Sequence, residues 1–139
     1  PEEARRELGM HVKRTQEYLP GYIVRSLALP KGERPKDISY VIEGSYEGTP
    51  YRHEGILLVG AEPAPSPFTV KFDPSALPRV RASEIDVEGY GLYDWLERLQ
   101  NNPQLRYVSD GDPNTVVVPE ELAEQIDRFR LGSRTLIPY

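Results

Sequence analysis

A chain of 139 residues fits one domain and can bury a workable core without cross-links. It has no cysteine, which excludes disulfide bracing and thiolate zinc sites, and no apolar run nears the roughly 18 residues of a membrane span. The net charge of −5 argues against a dedicated nucleic-acid binder, although residues 1–36 hold eight Lys/Arg against five Glu.

That basic end reads as a solvated helix face and loop, with contact to an anionic partner as the alternative. No signal-peptide pattern opens the chain, and the lack of cysteine selects no compartment. Without an initiator Met, Pro1 reads as the product of Met removal or as the interior of a longer protein.

Residues 2–18 start with acidic side chains, lack β-branched clusters and end before Pro20-Gly21, which predicts a helix. Its apolar stripe is thin (Leu8, Val12, Leu19, flanked by Met10 and Tyr18), as suits a helix lying across a sheet edge. Gly9 weakens it by about 1 kcal/mol relative to Ala. An N-terminal proline amine acts as a base only when its strand enters a pocket; here the residues after Pro1 read as helix.

Tyr22 to Leu29 is a strand candidate. Residues 38–59 then form the centre of the expected fold, two β-branched and aromatic runs around Glu47 to Pro50, which is a β-hairpin signal. The expected register sets Ile38 opposite Val59, Gly44 opposite His53, Tyr46 opposite Tyr51 and Glu43 opposite Glu54. One face then carries Tyr40, Tyr46, Tyr51 and His53 toward the core, and the other turns Glu43, Glu54 and Arg52 toward water.

Ala61 to Pro67, with three prolines at alternate positions, predicts an extended connector. Phe68 to Phe72 alternates as a strand does, and Arg79 to Ala82 suggests a short one. Tyr90 to Asn101 predicts a helix from Leu92, Trp95, Leu96 and Leu99 at i, i+3, i+4, i+7. Leu105 to Ser109 and Thr115 to Val118 flank D-G-D-P-N as a second hairpin. Pro119 to Arg130 predicts a third helix with Leu122, Ile126 and Phe129 buried, stopped by Gly132; the tail Leu136 to Tyr139 then adds an edge strand or docks on a partner.

This order predicts an α+β fold: an antiparallel sheet built on the 38–59 hairpin, an N-terminal helix, and a C-terminal helix-hairpin-helix segment packed on it. The expected organisation is a single domain, with a sheet-forming half 1–72, a Pro-containing irregular segment 73–89 and a helix-hairpin-helix half 90–139.

Three constellations are candidates for chemistry. His53 lies among Tyr46, Tyr51 and Gly44, so it is a candidate general acid or base at a sheet-floored pocket; the alternative is a satisfied core or rim histidine. Glu54 is adjacent to His53 and points to the other face, so it cannot partner it. Glu43 and Glu54, if opposed, would share a raised pKa or a cation; the alternative is an exposed edge where Arg52 or a basic residue from elsewhere bridges them. Asp110, Asp112, Asn114 and Glu121 match the 1, 3, 5, 12 spacing of a calcium loop, but Thr115 stands where glycine is required, and a tight turn explains the same residues.

Phosphate-binding, dinucleotide-binding, nucleophile-elbow and H-E-x-x-H motifs are all absent, as are E-x-K and D-x-K tripeptides. Nine tyrosines, with Tyr40, Tyr46 and Tyr51 beside Arg52 in the hairpin, suit a binding surface. The expected function is therefore a non-catalytic binding or protein-interaction domain of a larger protein or assembly, with a protein partner or a second copy, no metal and no cofactor. A small ligand is compatible with it. The alternative is a small hydrolase or isomerase with a pocket around His53 and a carboxylate or tyrosine partner.

Overall fold

The computed structural model describes residues 1–83 and 89–139. The chain gathers into two compact units, residues 1–60 with 73–79 and residues 61–72 with 80–139. The expected irregular segment 73–89 is thus shared between them, and its residues 84–88 lie outside the described residues. Both helices and strands are present, the strands in two-stranded sheets, and no helix among the described residues is long and apolar enough to cross a membrane.

The first unit runs α1 (Glu2–Tyr18), β1 (Ser26–Ala28), α2 (Ser39–Ile42), β2 (Glu43–Tyr46), β3 (Thr49–Arg52) and β4 (Gly55–Leu57). Helix α1 spans the residues its sequence predicts, with Glu2 and Glu3 in its first turn, and packs on the β2–β3 hairpin. Gly9 permits this approach. A Cβ at that position would lie 2.6 Å from Tyr46 Cβ, so the residue that weakens the helix locally is the one that lets the hairpin close on it.

The hairpin is shorter than expected, and its register corrects the expected one. Glu47 (φ 47°) and Gly48 (φ 77°) form a two-residue turn, setting Tyr46 opposite Thr49, Gly44 opposite Tyr51 and Glu43 opposite Arg52. The expected pairs Tyr46/Tyr51, Gly44/His53 and Glu43/Glu54 are therefore not formed. The slip is two residues, an even number, so the faces survive: Tyr51 is buried and Tyr46 half-buried, while Glu43 and Arg52 are exposed.

Both outer ends of the expected hairpin go elsewhere. The Asp37 carboxylate accepts the Ser39 N–H (3.0 Å), which starts the short helix α2 where a strand was expected. Hydrogen bonds from the Ser39 side chain and backbone hold the Asp37 carboxyl below its ordinary range. Strand β4 leaves the hairpin to pair in parallel with β1, Ser26 opposite Gly55 and Ala28 opposite Leu57, so the strands are not all antiparallel. Of the expected strand 22–29 only 26–28 join this ladder. The other edge of β4 binds residues 74–77 through Ile56 N–H to Pro74 O and Leu58 N–H to Leu77 O, both 2.8 Å. Leu29, Val41 and Ile56 form the core, with Leu27, Ile42 and Leu58 against them.

In the second unit come α3 (Leu92–Asn101), β5 (Thr115–Val118), α4 (Arg128–Leu131) and β6 (Thr135–Pro138). Helix α3 starts where the Asp94 carboxylate accepts the Gly91 N–H (2.8 Å), and Trp95 Nε1–H donates to Ala61 O (2.7 Å). Among the described residues no helix-hairpin-helix forms. Residues 105–109 do not pair with β5, whose partner is the tail strand β6, in parallel, from Thr115 opposite Thr135 to Val118 opposite Pro138.

The expected third helix breaks into a 3₁₀ segment, Glu120–Gln125, and α4. Between them Ile126 is extended and bridges Thr69, and Asp127 caps α4 by accepting the Phe129 and Arg130 N–H groups. This shift of phase places Leu131 in the core with Val116, Val118 and Ile126, and leaves Phe129 93% exposed rather than buried. Residues 68–72 form turns, with Thr69 N–H and Oγ1–H both donating to Ser66 O, so the alternation of Phe68 and Phe72 does not mark a strand. Their rings instead lie under Arg134 and Arg130, at 5.3 and 5.1 Å.

The D-G-D-P-N loop closes on itself. Thr115 Oγ1 lies 2.8 and 2.7 Å from the two Asp110 carboxylate oxygens, and Asp112 Oδ1 accepts from Asn114 N and Nδ2. Among the described residues no group of three or more metal-ligating side chains converges, here or elsewhere. The Thr115 hydroxyl, then the Asp112 N–H, hold the Asp110 carboxyl below the ordinary aspartate range. A lowered folded-state pKa supports the loop above the unfolded value, and this support fades as pH falls through the folded value. Replacing Thr115 with valine is expected to move the Asp110 carboxyl titration upward, read by carboxyl-carbon NMR; an unmoved midpoint would mean the hydroxyl does not set it.

Candidate functional site

Helix α2 ends on three carbonyls, Tyr40, Val41 and Ile42, that a helix cannot satisfy internally. Strand β3 and its continuation supply the donors. Tyr51 Oη–H donates to Tyr40 O (2.7 Å), His53 Nδ1–H to Val41 O (2.7 Å) and His53 N–H to Ile42 O (2.7 Å). Since a carbonyl only accepts, the proton of His53 sits on Nδ1 in this arrangement.

The His53 ring is 3% exposed and stacks against Tyr51, with centroids 5.7 Å apart. Among the described residues its buried Nε2 has no hydrogen-bond partner, and none of the described cavities is lined by it. Gly44 makes room for Tyr51: a Cβ on Gly44 would lie 2.6 Å from Tyr51 Cζ. Burial pushes the Tyr51 phenol above its ordinary value, against the opposing pull of the Arg5 charge, so at neutral pH it is a donor and not a phenolate base.

The two glutamates are not brought together. Glu43 faces Arg52 across the hairpin, and Glu54 accepts from Arg25 Nη1 at 2.6 Å, both side chains being more than half exposed. An ion pair so open to water contributes little. Glu54→Gln is expected to change unfolding free energy by no more than about 1 kcal/mol, measured by urea denaturation. A larger loss would assign Glu54 a role that this geometry does not give it.

A concave site lies elsewhere in the same unit, between α1 and β1. It is a cleft of about 510 Å³ with apolar walls, Leu8 on the helix and Leu27 and Leu29 on the strand side, and with Tyr40 and Val41 also against it. Glu7, His11, Glu33 and Arg34 give it polar groups. Of the expected binding residues Tyr40 lines this cleft, and Tyr51 braces it through the bond to Tyr40 O. Tyr46 lines a separate shallow hollow with Glu2, Glu3 and Arg6, and Arg52 is exposed on the outer face of the hairpin.

Most of the cleft escapes a sequence reading because its walls come from segments some 20 residues apart that no motif links. The usable signal was Gly9 inside a helix with a thin apolar stripe, which marks a helix packed close by its backbone. Comparison with protein-family models, with curated proteins and with solved structures finds no match.

Proposed function

We propose that this protein is a non-catalytic binding domain that takes a protein partner in the cleft between α1 and β1. The cleft itself supports this reading most: its volume falls within the roughly 300–1,000 Å³ of ligand-binding sites, and apolar walls with few polar groups are the usual lining of such sites. Less supports the alternative, a small hydrolase or isomerase acting through His53. A base needs access to its substrate, and the His53 ring is buried, spends its proton on Val41 O and lies apart from Glu43 and Glu54 in every bond it makes.

Ala28 lines the cleft with an exposed side chain, so Ala28→Arg fills the cleft without entering the core. Native mass spectrometry on protein purified gently from its source cells is expected to show a bound polypeptide with the unaltered chain and none with Ala28→Arg. A bare 15.8 kDa monomer in both preparations would sink the reading.

A further inference from the structure

We infer that the partner's contacting segment is an extended peptide with basic side chains, which adds as a strand to the free edge of β1 inside the cleft; this inference rests on the binding reading above. Among the described residues the sheet containing β1 has two strands, and β1 pairs with β4 alone. Leu29 N–H donates to Leu57 O (3.0 Å), and Gly55 N–H to Arg25 O (3.3 Å). The odd-numbered residues of this stretch therefore face β4. In a parallel ladder the alternate residues then turn their N–H and C=O groups away from the partner strand.

Those residues are Ser26 and Ala28, both exposed, and among the described residues no hydrogen bond beyond the ladder reaches their main chains. A row of outward donors and acceptors at strand spacing is complementary to the backbone of another extended chain. A compact ligand would not match it. The adjoining apolar walls would receive every second side chain of the added strand.

Charge narrows the chemistry further. Glu7 on α1 and Glu33 on the β1 side both line the cleft and are exposed, and no ion pair reaches either among the described residues. Among the described residues Arg34 is the one guanidinium in the lining, and it is engaged: its Nη2 donates to Ser75 Oγ (3.0 Å) and lies 3.8 Å from Asp73 Oδ2. The unpaired charge of the cleft is thus acidic. Lys or Arg beside an apolar extended run is the complementary sequence.

The test uses the whole chain and the acetylated, amidated peptide Lys-Val-Thr-Val-Thr-Val-Lys, followed by amide NMR and hydrogen exchange. Binding is expected to shift and protect the Ser26 and Ala28 amides. Methylating alternate backbone nitrogens of the peptide, in the phase that faces β1, is expected to weaken binding by about tenfold or more. Exchanging both lysines for glutamate should weaken it by about fivefold, and Glu7→Lys with Glu33→Lys should reverse that preference.

No shift at Ser26 and Ala28 with peptide on the order of a millimolar, or indifference to backbone methylation, overturns strand addition. Shifts confined to another surface overturn it too but leave the binding reading standing, which falls only on the Ala28→Arg comparison. Protection of the same amides by concentration-dependent dimerisation, without peptide, would replace the partner peptide with a second copy.

Discussion

Replacing Gly9 with valine is expected to lower the stability of the first unit by about 2–4 kcal/mol, although Gly is the poorer helix former. Two terms of opposite sign compete. Removing glycine from a helix interior gains up to about 1 kcal/mol for Ala and less for Val. Against this, the new Cβ would meet Tyr46 Cβ at 2.6 Å in a buried contact between α1 and β2, where no flexible side-chain end can swing aside. Overpacking of this kind costs about 1–3 kcal/mol, and a β-branched side chain raises it. Gly9→Ala carries the same conflict with a smaller side chain and should be destabilising by about 1 kcal/mol or close to neutral. Urea unfolding with amide exchange resolved over α1, β2 and β3 measures both. A full 1 kcal/mol gain in Gly9→Ala, the behaviour of an exposed helical glycine, would mean that helix and hairpin are not packed this closely.

The same residues show what the sequence made legible. Helix α1 was readable because its signals are local: acids at the start, Pro-Gly after the end, no β-branched cluster. The faces of the hairpin were readable for a different reason. Their period of two survives any even error in register, so Tyr51 was assigned inward and Arg52 outward although the turn was placed too late in the chain. The opposition of Glu43 and Glu54 had no such protection and dissolved with the turn.

Parallel pairing was the part least available to a sequence reading. β1 finds β4, and β5 finds β6, across intervening helices and loops, and strands of three or four residues carry too little pattern to announce a distant partner. A local competitor also decided two expected elements. Asp37 accepts the first N–H of the short helix 39–42, and Asp127 restarts a helix out of phase, exchanging Phe129 for Leu131 in the core. In each case a carboxylate accepts a backbone N–H where the helix begins, a local bond that the period of the apolar residues does not announce. The candidate site divides the same way: His53 stood out as a histidine in an expected strand, whereas the cleft depends on where α1 comes to rest.

His53→Ala is expected to cost the first unit about 3–5 kcal/mol. It removes a buried ring packed on Tyr51 and leaves the Val41 carbonyl, at a buried residue, without the donor that satisfies it. Asparagine and glutamine then separate the two nitrogens of the ring. An asparagine amide can take the place of Nδ1 and keep a donor near Val41 O, while a glutamine amide reaches toward the position of Nε2, which among the described residues has no partner to lose. His53→Asn should therefore recover about 1 kcal/mol or more relative to alanine, and His53→Gln little of it. Urea unfolding of the set measures this. Equal recovery by both amides, or an alanine variant within about 1 kcal/mol of the unaltered chain, would remove the role of His53 in satisfying the end of α2. The consequence extends to binding, because Tyr40 and Val41 belong both to the end of α2 and to the lining of the cleft. A histidine that never meets a ligand would then still govern affinity, by fixing the carbonyls on which one wall of the cleft is built. His53→Ala should weaken peptide binding in proportion to the lost order of α2, and His53→Asn should restore it.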